Sequence, residues 1–436
     1  MADRTHKARL IAQALRSGEW RRDAVADRLA RTLPPGVLDA DWLATRLLYC
    51  FGGSAAPNLQ VLTRYLLDED VLHSFLSDSE RHCRFVADSP ATAPPPGKLA
   101  TRPRPVITTI KDLCLWLGLS DGELQWFADC RGSQHRVTAP KLHHYRYGWL
   151  NKADGSLRII EKPKARLKEI QRQILAYILR WIPPHDSSHG FTRGRSTKSH
   201  AALHVGQPAL LCLDLKDFFN TVSMARVAAL YRTLGYPPAV ARLLTGLCSN
   251  AVAPVLAGPN FQTLDWYSQK RLKEKHLAQG APTSPVLANL CAWRLDCRLE
   301  GLAQRLGFRY SRYADDMAFS GDARLTRRAS NLASLVGAIA LEEGFHLNHR
   351  KTRLRTASQR QRLAGIVVNA KPNCSRQQFD RLKAILHNCA NTGPEAQNHA
   401  DHPDFGAHLL GRISYVRWLN PDRGEKLLRL WRQVEW

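Results

Sequence analysis

The chain has 436 residues, the length of two or three domains, and 44% of them are hydrophobic, enough for a sizeable buried core. Lys and Arg number 63 against 38 Asp and Glu, so the formal net charge is +25. This excess indicates a polyanionic partner, and an enzyme restricted to small acidic metabolites would not need it.

The sequence carries no signal for a membrane or for secretion. Its longest apolar runs fall short of the ~18 residues that a membrane span needs, and charges interrupt the apolar residues of the N-terminus. The ten cysteines include no C-x-x-C pair, which is typical of reduced thiols rather than of a disulfide framework. We therefore expect a soluble, cytoplasmic protein with no membrane partner.

The positive charge is concentrated after the first 100 residues, which hold 13 basic and 12 acidic side chains. Leucines at helical spacing predict a small helical domain over residues 1–86. A proline-rich stretch predicts a linker over 87–104, and two short helical patterns predict a helical lead-in over 105–140. The leucines with helical spacing are Leu43, Leu47, Leu48, Leu59, Leu62 and Leu66.

From residue 145 the pattern changes to strands. Alternating apolar and polar residues predict a β-hairpin with a turn at Asp154-Gly155, flanked by Lys152 and Arg158. Two cations at a hairpin suit a phosphate clamp. The helix predicted next has one apolar face and a basic first turn, which either contacts a nucleic-acid backbone or is a solvated face. The cations around that first turn include Lys162, Lys164 and Arg166.

An apolar run over residues 209–213 ends on Asp214. It predicts a buried strand that presents a carboxylate at its C-terminal end, where enzymes with such sheets place metal ligands or catalytic acids. Asp217 follows three residues later, and a turn or capping role is favoured for it over catalysis.

A second acidic motif lies about one hundred residues further on. Two alternating patterns flank Ala314-Asp315, so Asp315 and Asp316 are predicted at or just past a tight turn. Adjacent carboxylates repel each other unless a cation neutralises them. With Asp214 they form a three-carboxylate set that can hold two Mg²⁺ ions about 3.5 to 4 Å apart for in-line phosphoryl transfer.

The segments around these acids also carry signals. Gln279-Gly280 predicts a loop whose backbone can approach a ligand closely, with Ser284 as the N-cap and Pro285 as the first residue of the next helix. Helix N-termini accept phosphates. Beyond the acids, the sequence offers Lys351 as a further cation.

In this order, the motifs over about 145–436 resemble the palm of a reverse transcriptase. The chain is most similar to bacterial retron reverse transcriptases, because the first acid motif has the form DLKDFF and the loop has the form QGAPTSP. The motifs that carry the resemblance are Asp214, residues 279–285, Tyr313 to Asp316, Gly344-Phe345 with Asn348 and Lys351, and His189 to Ser196.

Two motifs differ from the usual retron pattern. The segment from His200 to His204 reads HAALH, where such enzymes usually have Asn-Ala-x-x-His, and Leu363-Ala364-Gly365 replaces Val-Thr-Gly. In the family, these features are associated with handling the structured RNA. The resemblance therefore leaves the identity of the RNA open.

The resemblance implies an α+β, right-hand polymerase fold that follows the small helical N-terminal domain. Fingers and a palm with an antiparallel sheet would occupy residues 141–370, and a helical thumb residues 371–436. The implied reaction is RNA-directed DNA synthesis, with Asp214, Asp315 and Asp316 as the catalytic and metal-binding residues. Two Mg²⁺ ions are the implied cofactors, and Mn²⁺ is able to substitute.

The resemblance also assigns roles to residues around the acids. Phe219 would be the steric gate that excludes a ribose 2′-hydroxyl. The implied partners are a structured non-coding RNA, its DNA product, dNTPs and an effector or toxin protein, in antiphage defence. The nucleotide-binding residues would be Lys152, Arg158, Phe219, Gln279 and Lys351, and the nucleic-acid-binding residues Lys162, Lys164, Arg166, Arg193 and Arg195.

Two alternatives stay open at this stage. The first is a defence-associated reverse transcriptase that copies another non-coding RNA without making branched retron DNA. The second is a catalytically silent RNA-binding scaffold on a polymerase fold, which the three intact carboxylates argue against.

Overall fold

The computed structural model describes residues 2–52, 56–83, 103–137, 139–151 and 155–436. The chain divides into two compact units. The first unit comprises Met1–Pro183 and Phe219–Cys291, and the second comprises Pro184–Phe218 and Ala292–Trp436. Within the described ranges, no helix combines the length and the apolar character needed to cross a membrane.

Helices occupy the first unit up to Ala128. The leucine pattern is confirmed, because Leu43, Leu47, Leu62 and Leu66 are fully buried in one apolar cluster. Ser120 caps the seventh helix with a reciprocal Glu123 contact, as its position before the helix predicts. These helices are α1 (Ala2–Arg16), α2 (Arg22–Thr32), α3 (Ala40–Phe51), α4 (Leu59–Asp68), α5 (Asp70–Ser77), α6 (Ile110–Leu117) and α7 (Asp121–Ala128).

The predicted hairpin follows as two antiparallel strands, β1 (Tyr145–Asn151) and β2 (Leu157–Pro163). Lys152, Ala153 and Asp154 lie outside the described residues. The other cation of the predicted phosphate clamp, Arg158, pairs with Leu150 and is exposed. The next helix, α8 (Ala165–Tyr177), buries Leu167, Ile170 and Ile174 and exposes its basic residues, as the periodicity predicts.

The chain then passes through the second unit with α9 (Thr197–Ala202) and β3 (Ala209–Asp214) and returns to the first unit. Ser284 was expected as an N-cap, but the helix already begins at Ser284, one residue earlier than predicted. The helices of this return are α10 (Met224–Thr233), α11 (Pro238–Leu247), α12 (Pro254–Ala257), α13 (Trp266–Lys273) and α14 (Ser284–Cys291).

A four-stranded antiparallel sheet forms the middle of the second unit. Its strand order is β4-β5-β3-β6. The apolar run of β3 is buried between its two neighbouring strands, and α16 lies against it. The elements are α15 (Trp293–Leu306), β4 (Arg309–Tyr313), β5 (Asp316–Gly321), α16 (Ala323–Glu342) and β6 (Arg353–Thr356).

A short hairpin and three helices complete the second unit. One apolar cluster joins them to the sheet, since it contains Leu210 of β3, Ile366 of the hairpin and Leu409 of a C-terminal helix. The elements are β7 (Arg362–Leu363), β8 (Ile366–Val367), α17 (Arg376–Thr392), α18 (Phe405–Leu419) and α19 (Pro421–Trp431).

Candidate active site

The backbone brings three aspartates to one end of the sheet. Asp214 is the last residue of β3 and Asp316 the first of β5, and the two are directly paired in the antiparallel register. The amide of Leu215 donates a hydrogen bond to the carbonyl of Asp315 at 2.9 Å. Ala314 adopts the left-handed φ of 57° and closes the tight turn between β4 and β5. The two acidic motifs, separated by a hundred residues, therefore meet.

Lys351 provides a positive charge at this acidic end. Its Nζ lies 2.9 Å from Oδ2 of the buried Asp214. Partial burial lowers the pKa of Lys351, but the hydrogen bond and charge of Asp214 outweigh this and the pKa is raised. Desolvation, together with the charges of Asp315 and Asp214, raises the pKa of Asp316 to about 6, although part of that side chain reaches solvent. The acidic cluster thus holds more negative charge than one ammonium neutralises.

The segment before Lys351 is held along the end of β3. The Asn348 amide donates to the Asp214 carbonyl at 2.8 Å, and the Lys351 amide donates to the Asn348 carbonyl at 3.0 Å. Phe345 anchors the segment, because its side chain is fully buried and its amide bonds to Ala340 of α16. These contacts place Asn348 and Lys351 beside the end of β3.

The donor set fits divalent metal ions in its chemistry. Carboxylate oxygens are the ligands that Mg²⁺ and Mn²⁺ prefer. The pKa of Asp316 is raised by desolvation and by repulsion from Asp315 and Asp214, and a cation would relieve the repulsion. Asp214, Asp315 and Asp316 would hold the ions. In the described part of the chain, no group of three or more His, Cys, Asp or Glu side chains has the arrangement of a metal site. The Asp214 carboxylate forms an ion pair with Lys351.

A buried ion pair supports the turn from behind. Arg312 and Asp296 are both fully buried, and two guanidinium nitrogens bind the carboxylate at 2.8 and 2.5 Å. A third, Nη1, donates to the carbonyl of Ala314 at 2.8 Å. The Tyr310 hydroxyl also donates to Asp296, at 2.8 Å. Arg312 therefore ties α15 to the residue that precedes Asp315.

Gly190 packs directly against the same turn. A Cβ at this position would lie 2.4 Å from the amide nitrogen of Ala314, so no side chain fits. The His189 amide donates to the Arg312 carbonyl at 2.7 Å and the Arg312 amide to Ser187 at 2.8 Å. The segment with the His189-Gly190-Phe191 motif thus lines the outer edge of β4.

The QGAPTSP loop is organised within the first unit by β2. The Glu161 amide donates to the Gln279 carbonyl at 2.8 Å. Gly280 has a φ of 130°, and a Cβ there would lie 2.7 Å from the Glu161 carbonyl oxygen. Below the loop, the Glu161 carboxylate binds His276 at 2.9 Å and Asn250 at 2.7 Å. The glycine after Gln279 is therefore required by the close approach to β2.

Comparison with known proteins identifies the family. The family described as Reverse transcriptase (RNA-dependent DNA polymerase) matches residues 150–377. This chain belongs to the reverse transcriptase family. It is 38% identical to Retron Mx65 reverse transcriptase of Myxococcus xanthus over 338 residues, 77% of this chain and 74% of that protein. It is 34% identical to Retron Mx162 reverse transcriptase of the same species over 340 residues, 73% of this chain and 65% of that protein.

These similarities confirm the prediction of a retron-type reverse transcriptase. The enzyme is an RNA-directed DNA polymerase with an α+β fold. This activity contradicts the alternative of a catalytically silent RNA-binding scaffold. Retron Ec86 reverse transcriptase of Escherichia coli is a more distant relative, 29% identical over 232 residues, which are 53% of this chain and 65% of that protein.

The cations predicted to bind nucleic acid fall into two groups, those with exposed side chains and those whose charged groups bind backbone carbonyls. Lys162, Arg166 and Arg193 are exposed. The Lys164 ammonium instead donates to the carbonyls of Pro140 and Lys141, at 2.8 and 3.0 Å. Arg195 binds Asp186 and the carbonyls of residues 185, 186 and 188.

The remaining residues predicted to bind the nucleotide lie in the first unit. Phe219 is half-buried in the turn after β3, and Gln279 is half-buried at the start of its loop.

The residues that support the turn at Ala314-Asp315 were not predicted from the sequence. Asp296 lies between Leu295 and Leu299 on the buried face of α15, and Arg312 lies in the same strand phase as the buried Tyr310. Each of these charged residues lies at a position that the apolar pattern of its helix or strand predicts to be buried. Because buried charges are almost always paired, this position could have indicated the ion pair.

Proposed function

We propose that this reverse transcriptase copies a structured non-coding RNA into DNA with Asp214 and Asp315 as metal-binding catalytic residues and Asp316 supporting their geometry. The observation that carries the proposal is the register that pairs Asp214 with Asp316 while Leu215 binds Asp315. Two bound Mg²⁺ ions, or Mn²⁺ in their place, would supply activation of the primer hydroxyl and charge neutralisation of the leaving pyrophosphate.

The residues of the chain prepare this chemistry in two ways. The strand and the Asn348 amide hold the backbone of Asp214, and Lys351 binds its carboxylate, so the group is preorganised. Lys351 keeps its proton beside the acids because its pKa is raised. This favours Lys351 as a positive charge that binds the triphosphate, and it makes proton donation to the pyrophosphate the less favoured role.

The nucleotide is proposed to be selected by Phe219 and bound by Gln279, Arg158 and Lys152. The exposed cations Lys162 and Arg193 are proposed to contact the RNA backbone through their charged groups. Arg166 is proposed as a further backbone contact, although its guanidinium also donates to the Gly118 carbonyl and binds Glu169. Fingers and palm over 141–370 and a thumb over 371–436 remain the proposed boundaries of the polymerase.

Replacing Phe219 with Ala tests the steric gate. We expect the preference for dNTPs over rNTPs to fall on the order of 10- to 100-fold, because only the bulk of the ring is proposed to exclude the 2′-hydroxyl. The measurement is the ratio of kcat/KM for the two nucleotides in RNA-templated extension. Phe219→Tyr keeps the bulk and should keep the preference. An unchanged ratio in the Ala variant would show that Phe219 is not the gate.

The priming mode separates the retron function from its nearest alternative. We propose that DNA synthesis starts on the 2′-hydroxyl of a guanosine in the enzyme's own RNA and leaves a branched RNA–DNA molecule that serves antiphage defence together with an effector protein. The support is the similarity to two retron reverse transcriptases at 38% and 34% identity.

The test uses nucleic acid that co-purifies with the full chain from its native operon. After ribonuclease treatment, we expect the DNA to carry ribonucleotide remnants and to shift in a gel on treatment with a 2′,5′-debranching enzyme. Protein with the Asp315→Asn substitution provides the control, and it should carry the RNA without DNA. DNA with an unbranched end would instead favour a defence-associated enzyme that copies another RNA.

A further inference from the structure

The HAALH segment, which differs from the usual retron motif, is buried in the second unit. His200 and His204 are both 0% exposed. A fully buried imidazole cannot contact an RNA bound at the surface. The two histidines must therefore act through the protein atoms that surround them.

The ring of His204 bridges the two strands that carry the catalytic turn. Its Nε2 lies 2.7 Å from the Ser311 hydroxyl of β4, and its Nδ1 lies 2.6 Å from the Ser320 hydroxyl of β5. The Ser311 hydroxyl also lies 2.7 Å from Nδ1 of His200. One imidazole thus fastens β4 to β5 below the turn that holds Asp315.

Neutral rings allow the three hydrogen bonds to form one continuous series. Burial lowers the pKa of His200 and of His204 to about 3, so both rings are neutral at physiological pH and each has one donor and one acceptor. The bonds can then run from Ser320 to His204, Ser311 and His200, or in the reverse direction from His200 to Ser320. In either direction the His204 ring donates one bond and accepts the other, while Nε2 of His200 has no partner among the described residues.

Strand β4 needs such a fastening because it lies at the edge of the sheet. Its strand partner is β5 alone in the order β4-β5-β3-β6. Residues 187–189 bond to the backbone of Arg312 on the outer edge. His204 adds a hydrogen-bonded bridge between side chains of the two strands, beside the ring contact of Tyr310 and Phe319. Its partners are Ser311, three residues before Ala314, and Ser320, four residues after Asp316.

The element that leads into His204 also contacts the C-terminal part of the second unit. Ala201 of α9 belongs to the same apolar cluster as Leu363 and Ile366 of the β7–β8 hairpin. Lys198 donates to the Trp418 carbonyl of α18, and its ammonium lies 5.5 Å from the Trp418 ring centroid. The two sequence segments that differ from the retron pattern therefore meet inside the protein.

From these contacts we infer that His204 is a positioning residue, which fixes β4 against β5 and thereby sets Asp315 and Asp316 for the reaction. The inference rests on the catalytic roles proposed for these acids. It assigns the second histidine of the motif to the geometry of the catalytic turn and not to recognition of RNA.

The test compares His204→Ala, His204→Gln and Ser320→Ala in the full chain. Displacement of reacting groups by about 1 Å can cost on the order of 100-fold in rate, so we expect the Ala variant to lose about 10- to 100-fold in kcat. KM for dNTP and the Kd for RNA should stay within about twofold, because neither ligand contacts the buried ring. Gln has a donor NH2 group and an acceptor oxygen on its amide and should restore most of kcat.

His143→Gln is the matched control, because His143 is a buried histidine of the first unit with one bond to the Val137 carbonyl, and this variant should keep kcat. If His204→Ala does not fold, Ser320→Ala, which removes one arm of the bridge, should show the same loss of kcat in a folded protein. Folding is checked by the thermal midpoint of each variant.

Three results would overturn the inference. They are an unchanged kcat in folded His204→Ala or Ser320→Ala, a loss confined to RNA affinity, and a failure of Gln to restore kcat at a normal thermal midpoint. Asp315→Asn is measured in parallel. If that variant stays active, the proposed role of the acids fails; if it is inactive while His204→Ala is normal, only the positioning role fails.

Discussion

Asp315→Asn and Asp214→Asn should each abolish DNA synthesis and leave RNA binding nearly unchanged. Each substitution removes one negative charge and one oxygen ligand from the set that is proposed to hold the metal ions, whereas the RNA contacts are spread over many cations elsewhere. We expect a loss on the order of 10³-fold or more in kcat, as for the removal of a preorganised electrostatic group. Primer extension on an RNA template with saturating Mg²⁺, together with a binding assay, measures both effects.

Asp322→Asn provides the matched control for these variants. Asp322 follows the opposite end of β5, where its exposed carboxylate caps α16, and Asn is an equally good capping residue. This variant should therefore polymerise normally. Substantial synthesis by either active-site variant under the same conditions would contradict the assignment of the acids.

The parts of this site that follow from local sequence could be predicted. The apolar run before Asp214 specifies a buried strand, and the alternation on either side of Ala314 specifies two strands and a turn. Given an antiparallel sheet, the register of β3 with β5 then brings Asp214 and Asp316 together. The order of the motifs carried the family resemblance, which comparison with retron enzymes confirms.

The parts that depend on contacts between distant residues could not be predicted. His204 and Ser320 are 116 residues apart, and neither residue type indicates which side chain it will bind. The surroundings of Lys164 and Arg195 could not be predicted for the same reason. The sequence shows that each residue is a cation, but it does not show whether the charged group faces solvent or a backbone carbonyl. Such pairings are set by tertiary packing, which a periodic pattern does not encode.

The buried pair of Asp296 and Arg312 should be the most costly polar contact to break near the site. Asp296→Asn removes the charge that compensates a fully buried guanidinium, and breaking such a pair typically costs about 3 to 5 kcal/mol of unfolding free energy. Urea denaturation monitored by circular dichroism measures the loss. Asp322→Asn again serves as the control, because it weakens only an exposed ion pair with Arg324, and exposed ion pairs contribute little to stability.

A double variant, Asp296→Leu with Arg312→Met, separates stability from positioning. Replacing both charges with apolar groups leaves no buried ion unpaired, so the double variant should be more stable than Asp296→Asn. It should nevertheless remain slow in polymerisation, because the donor that Arg312 provides to the Ala314 carbonyl is lost and the turn before Asp315 is released. A double variant with normal kcat would show that Arg312 stabilises the fold without positioning the turn. An Asp296→Asn variant as stable as the wild type would contradict the contribution of the ion pair to stability.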